Sequence, residues 1–237
     1  MILTKHFVLL HFPRTGGVFF RRMCQQHLPP EWELRELRET HAYHSAIPEE
    51  SVGLPTICFL RNPWDWYVSW YEFTTQFMSR EGRAERPMPA TNPWFTLFGG
   101  GAHDFRQTVL IACTRDEGRR PWELAMREWD CDLYSAMFWL MTGHAPSAPA
   151  NWPGLAPLFP GDRQVETGQY ESFREDFEAF VERNEIPAPR GFMDAIRNEP
   201  PRHQSERRPY HEYYDDELRD LVGTKARRLI DQYDYEF

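Results

Sequence analysis

A guanidinium, a hydroxyl and two glycines stand in succession at Arg14-Thr15-Gly16-Gly17, directly after the apolar run Phe7-Val8-Leu9-Leu10 and the turn His11-Phe12-Pro13. Such a series suits the holding of an anion. Pro13 fixes the backbone leading into the turn, the glycines let main chain approach a ligand without Cβ clashes, and the periodic residues that follow predict a helix whose unsatisfied N–H groups point back at the loop. A phosphate or sulfate group would fit there. No Lys follows the glycines, as GxxxxGK[ST] would require, and Arg14 precedes them, which leads away from ordinary kinases. Because glycines in strand-to-helix turns often serve geometry alone, the reading leans on a second element of the same design. In Phe59-Leu60-Arg61-Asn62-Pro63-Trp64-Asp65-Trp66-Tyr67-Val68-Ser69 an apolar strand again runs into a helix.

With both elements in view, the chain resembles the sulfotransferases that use 3′-phosphoadenosine 5′-phosphosulfate (PAPS). In that family the first strand–loop–helix cradles the 5′-phosphosulfate, and an Arg followed eight positions later by a Ser holds the 3′-phosphate; Arg61 and Ser69 have that spacing. Gln169-Tyr170-Glu171-Ser172-Phe173 with Asp176-Phe177 resembles the late strand-to-helix segment. Ser205-Glu206-Arg207-Arg208-Pro209-Tyr210 with Tyr213-Tyr214 resembles the loop that closes over the cofactor, and 218–237 the terminal helix with its Tyr-Asp-Tyr-x-Phe ending. The likeness runs from end to end. It implies an α/β fold, a three-layer sandwich around a central, mainly parallel sheet of the P-loop nucleotide-hydrolase-like kind. It also implies transfer of a sulfuryl group from PAPS to a hydroxyl, or an amine, of a small acceptor, with 3′-phosphoadenosine 5′-phosphate (PAP) as product and no metal. Two other readings stay open: a nucleotide-dependent phosphotransferase, and a catalytically silent nucleotide-binding or scaffold protein of the same fold.

On this resemblance Arg14, Thr15, Gly16, Gly17, Arg61, Ser69, Ser205, Arg207, Arg208 and Tyr210 contact the cofactor. Arg14 stands where the family usually carries Lys; a guanidinium donates to two oxygens at once and suits the charge that grows on the leaving phosphate. Thr15 adds a hydroxyl donor. Val18 replaces a hydroxyl residue, and Gln204 stands where Asn is usual. An acceptor hydroxyl or amine must lose a proton as it attacks, and a histidine titrating near neutrality is the natural base. His41 is preferred and His44 follows, since both lie between the two cofactor elements; His103 could reach from the middle region. His11 reads as a strand-end packing residue and Glu171 as an orienting group. Trp64, Trp66, Trp70 and Tyr71 recur at helical spacing and read as core.

Alternating strands and helices must position these groups, which is the pattern of a covered, largely parallel sheet. Strands are predicted at about 6–11, 55–60 and 163–167, with another near 33–37; helices at 17–26 and 64–78, around 121–129 and 133–141, and from Phe173 and Leu218 onward, the last capped by Asp215. The segment 79–161, with three glycines at 99–101 and a proline-rich stretch at 146–160, reads as a helical lid and acceptor wall inserted into a single domain.

Composition sets consistent bounds. A chain of 237 residues suits one α/β domain. With 36 acidic against 27 basic side chains the net charge is −9, which disfavours nucleic acid and polyanionic glycans as partners and favours small or neutral acceptors. No stretch is long enough to span a bilayer and the N-terminal apolar run is too short for a secretory leader, so no membrane partner and a cytoplasmic location are expected. Cys24, Cys58, Cys113 and Cys131 lack CxxC spacing, which fits reduced thiols and disfavours a zinc site.

Overall fold

The computed structural model describes residues 1–37, 41–79, 102–115, 117–146, 155, 158–159, 164–200 and 207–237, with backbone alone for 77–79. The chain divides into two compact units, Met1–Arg61 with Met137–Arg202, and Asn62–Ala136 with His203–Phe237. Of the described residues between 79 and 161, those up to Ala136 fall in the second unit and those from Met137 in the first.

The first unit holds the sheet. Its strands are β1 (Ile2–Leu3), β2 (Val8–Leu10), β3 (Arg35–Glu36), β4 (Thr56–Leu60) and β5 (Glu166–Gln169), in spatial order β3-β1-β2-β4-β5. β2, β4 and β5 pair in parallel, whereas β1 is antiparallel to both β2 and β3. The sheet is therefore mixed and only partly parallel. β2 and β4 are buried along their whole length, which is why they read as continuous apolar runs and not as alternating strands. Phe7, Leu9, Ile57 and Phe59 turn to one face and pack with Phe20 and Met23 of α1 (Gly17–His27). Further along the chain that face also gathers Phe173, Phe177 and Phe180 of one helix, Phe173–Arg183, and Phe192 and Ile196 of another, Arg190–Asn198. Edge-to-face contacts such as Phe20 with Phe177, centroids 4.8 Å apart, give this core directional packing beyond area burial.

The strands are shorter or shifted relative to expectation. The expected strand at 6–11 narrows to β2 because Thr4 turns the chain first: its Oγ1 accepts from the N–H of Phe7 at 2.9 Å and of His6 at 3.2 Å. β5 begins three residues and ends two residues later than the predicted 163–167, whose first residue lies outside the described residues. β1, two residues long, was not expected, and it is what makes the sheet mixed.

The second unit is helical where described. Its helices are α2 (Pro63–Ser79), α3 (Phe105–Thr114), α4 (Pro121–Trp129), α8 (Asp216–Lys225) and α9 (Arg227–Tyr233), while α5 (Leu133–Thr142) runs across the division. The two helices after β5 are α6 (Phe173–Arg183) and α7 (Arg190–Asn198), so nine α-helices lie among the described residues. Asn62 starts α2, its Oδ1 accepting from the N–H of Trp64 at 3.0 Å, with Pro63 at the first helical position where a missing N–H costs nothing. Trp64, Trp66 and Trp70 are buried as core. Asp215 caps α8 as predicted, accepting from Leu218 N at 2.8 Å; the chain then breaks at Ala226, so the terminal segment is two helices. Asp132, fully buried, accepts from Tyr67 Oη and from Ser135 N, both at 2.9 Å, and burial raises its carboxyl above the ordinary range.

All four cysteines are buried free thiols, and burial pushes each thiol up. Among the described residues no helix is long and apolar enough to cross a membrane.

Candidate active site

The register of β2 on β4, Leu10 beside Cys58, brings the C-terminal ends of two neighbouring parallel strands to one sheet edge. Residues 11–17 leave from the first and Arg61 from the second. Ligands of open α/β sheets bind outside such strand ends. Within the turn, Arg14 (φ 64°) and Gly16 (φ 83°) both take left-handed backbone, with Thr15 between them. Alternation of this kind turns successive N–H groups toward a common side. Gly16 then starts α1 with no side-chain cap, and no acidic residue sits in the first helical turn, so the partial positive charge at that N-terminus is unneutralised by its own helix. Arg14, half-buried, is the side chain of the turn that carries full charge.

Two expectations for the turn change. Thr15 is buried and its Oγ1 donates to the carbonyl of Phe12 at 2.8 Å, so its proton holds the turn and is not directed at a ligand. Gly17 lacks a side chain for the sake of a neighbour: a Cβ there would lie 1.9 Å from Cδ2 of His11. His11 is thus a packing residue, as expected, but of the loop itself.

Arg61 is 7% exposed. Its Nη1 donates to the carbonyl of Arg14 at 3.2 Å, and its guanidinium lies 4.5 Å from the ring centroid of Tyr170. Tyr170 follows β5, tied to β4 through its N–H to the carbonyl of Leu60 at 2.7 Å. Its ring also faces Gly16, where a Cβ would approach to 3.3 Å. Sequence reasoning gave Tyr170 no role; the available signal was an aromatic residue at the end of a strand parallel to the one bearing Arg61.

His41 joins this group. Its Nδ1 lies 2.8 Å from the carbonyl oxygen of His11, and the two imidazole centroids are 4.8 Å apart. A carbonyl only accepts, so Nδ1 carries the proton and Nε2 of the neutral ring carries the lone pair. Although the residue as a whole is exposed, the protein around it lowers its pKa by desolvation, partly offset by the bond to His11. His11, almost wholly buried, is held well below its ordinary value by desolvation and then by the charge His41 can carry. His44 is enclosed, 2% exposed, with its ring against Gly143 and 6.0 Å from that of Phe159; it cannot meet an acceptor without opening that packing.

Ser69 lies buried in α2, His103 is half-buried before α3 and Glu171 is exposed. Arg207 is held by the carboxylate of Asp65. Arg208 lies 4.8 Å over the ring of Tyr213 and 3.6 Å from Glu212. Tyr210 stacks on His211 at 4.0 Å, with Phe237 edge-on. Ser205 and Gln204 lie outside the described residues. Among the described residues no group of three His, Cys, Asp or Glu could hold a metal ion. No protein-family model matches this chain, and no curated protein or solved structure matches it either.

Proposed function

We propose that the chain is a sulfotransferase, moving a sulfuryl group from PAPS to a hydroxyl, or less readily an amine, of a small acceptor. The observation that carries this reading is the gathering, at one edge of two adjacent parallel strands, of Arg14 in a left-handed turn, the uncapped start of α1, and His41 with Nδ1 bonded to a carbonyl of the same loop. The donor supplies an activated sulfuryl group. Arg14 and the first N–H groups of α1 would hold the phosphate oxygen on which charge grows, an interaction strongest in the transition state. His41 takes the acceptor's proton at Nε2, and its lowered pKa keeps that atom unprotonated at neutral pH.

The reading assigns Arg61 and Ser69 to the 3′-phosphate, and Ser205, Arg207, Arg208 and Tyr210 to a closing segment. Because Ser69 is enclosed and Arg207 is paired with Asp65, both must exchange neighbours to serve in this way. The segment 79–161 supplies the acceptor wall, in a single-domain cytoplasmic enzyme of the P-loop-like sulfotransferase fold. The acidic balance of the chain supports a small neutral acceptor over a nucleic acid, a membrane or a polyanionic glycan.

Calorimetry tests the donor. PAP is expected to bind much more tightly than 5′-AMP or ATP, and labelled PAPS should sulfate some member of a panel of phenols, alcohols and amines. Tight magnesium-dependent ATP binding would instead favour a phosphotransferase, and PAP binding with no turnover a silent binding protein.

A further inference from the structure

The turn that carries Arg14 has a brace. A residue with a side chain adopts φ near +60° only where its surroundings hold it there, and Arg14 does so at 64°. What holds it comes from the neighbouring strand: Arg61, at the end of β4, reaches its Nη1 to the Arg14 carbonyl. The guanidinium is itself fixed, buried to 7% exposure and resting on the ring of Tyr170. That same ring is the surface against which Gly16, the other left-handed residue of the turn, is set. One stack, Arg61 on Tyr170, therefore touches the turn at both positions where its backbone departs from ordinary conformations. Tyr170 is in turn fixed to the sheet by its N–H bond to Leu60.

We propose that Arg61 is a positioning residue, which holds the backbone of Arg14 so that the Arg14 guanidinium and the start of α1 converge on the 5′ end of the nucleotide. The inference rests on the sulfotransferase reading for what the turn binds, and on the geometry alone for what holds the turn. It separates from a simple 3′-phosphate contact because Arg61 should then matter even to ligands that have no 3′-phosphate.

Two measurements on the full chain test it. The first is tryptic cleavage of the Arg14–Thr15 bond, followed by mass spectrometry below the melting transition. Arg61→Ala should speed this cleavage about tenfold or more, the scale set by losing one hydrogen bond from a charged group. Arg61→Lys, which keeps a donor and loses the planar stack, should fall between. Tyr170→Leu, which keeps Arg61 and removes its rest, should move in the same direction and covers the case in which Arg61→Ala does not fold. The second is the affinity for 5′-AMP and for PAP: Arg61→Ala should weaken 5′-AMP, which has no 3′-phosphate, as well as PAP, with the larger loss for PAP. Unchanged cleavage in all folded variants, with PAP alone weakened, would overturn the positioning role and leave the sulfotransferase reading standing. Accelerated cleavage in a protein whose wild type binds neither nucleotide would sustain the brace and remove that reading.

Discussion

A histidine whose Nδ1 proton is bonded to a carbonyl can act as a base only through Nε2, so the bond from His41 to His11 O fixes which atom must face an acceptor. His41→Ala is expected to lower turnover about 10²- to 10⁴-fold, the usual range for a positioned general base, with PAP affinity nearly unchanged by calorimetry. Since desolvation holds His41 below its ordinary pKa, the acid limb of the rate profile should lie below about pH 6.5 and vanish in the variant. His11 gives a stability prediction of its own. Its folded pKa is depressed, so the unfolded chain binds that proton more readily; the stabilisation is complete above the unfolded pKa of about 6.5 and is lost as pH falls below it toward the folded value. Melting temperatures measured from pH 7.5 to 5 should fall less steeply for His11→Phe than for the wild type. An equal slope would mean that His11 is not the titrating group.

At the scale of elements, α1 starts where it does because Gly16 and Gly17 allow it, each for a different reason. Gly16 accommodates a positive φ, while Gly17 leaves room for the His11 ring. Gly17→Ala should destabilise by about 1–3 kcal/mol through overpacking. In a His11→Ala background, where the obstructing ring is gone, it should cost less than half as much by denaturant titration. Equal costs in the two backgrounds would break the link between these positions. Much at this scale was legible beforehand. The apolar runs of β2 and β4, the Asn62-Pro63 start of α2 and the Asp215 cap each carry a local rule, so those elements fell within a residue or two of prediction. α3 escaped although its Asp104–Gln107 capping box was present in the sequence. β1 escaped because two residues have no periodicity. The loop at 11–17 was legible as a turn, but the partners of its side chains were not. Thr15 bonding to Phe12, His11 filling the space over Gly17 and Tyr170 under Arg61 are contacts between segments distant in sequence or folded back on themselves, which spacing alone does not encode.

For the whole molecule, a net charge of −9 contrasts with Arg14 and Arg61 brought together at the turn, so the attraction that the proposed function requires for an anionic nucleotide would be local, its range set by screening within about 10 Å at 0.1 M salt. The architecture has a further consequence, for synthesis. The first unit is assembled from two stretches, Met1–Arg61 and Met137–Arg202. β4 therefore waits for β5, and Phe7, Phe20 and Phe59 wait for Phe177 and Phe192, while the ribosome makes the residues between. Chains grow at roughly 5–20 residues per second, so the apolar strands β2 and β4, with only α1 made beside them, stay without α6 and α7 for several seconds at least. Ribosome-bound chains arrested near residue 150 should be cut readily by protease within their first 61 residues and should engage chaperones. Chains whose residue 202 has cleared the exit tunnel should resist. The loop at 11–17, although made first, meets the ring on which Arg61 rests only when Tyr170 arrives.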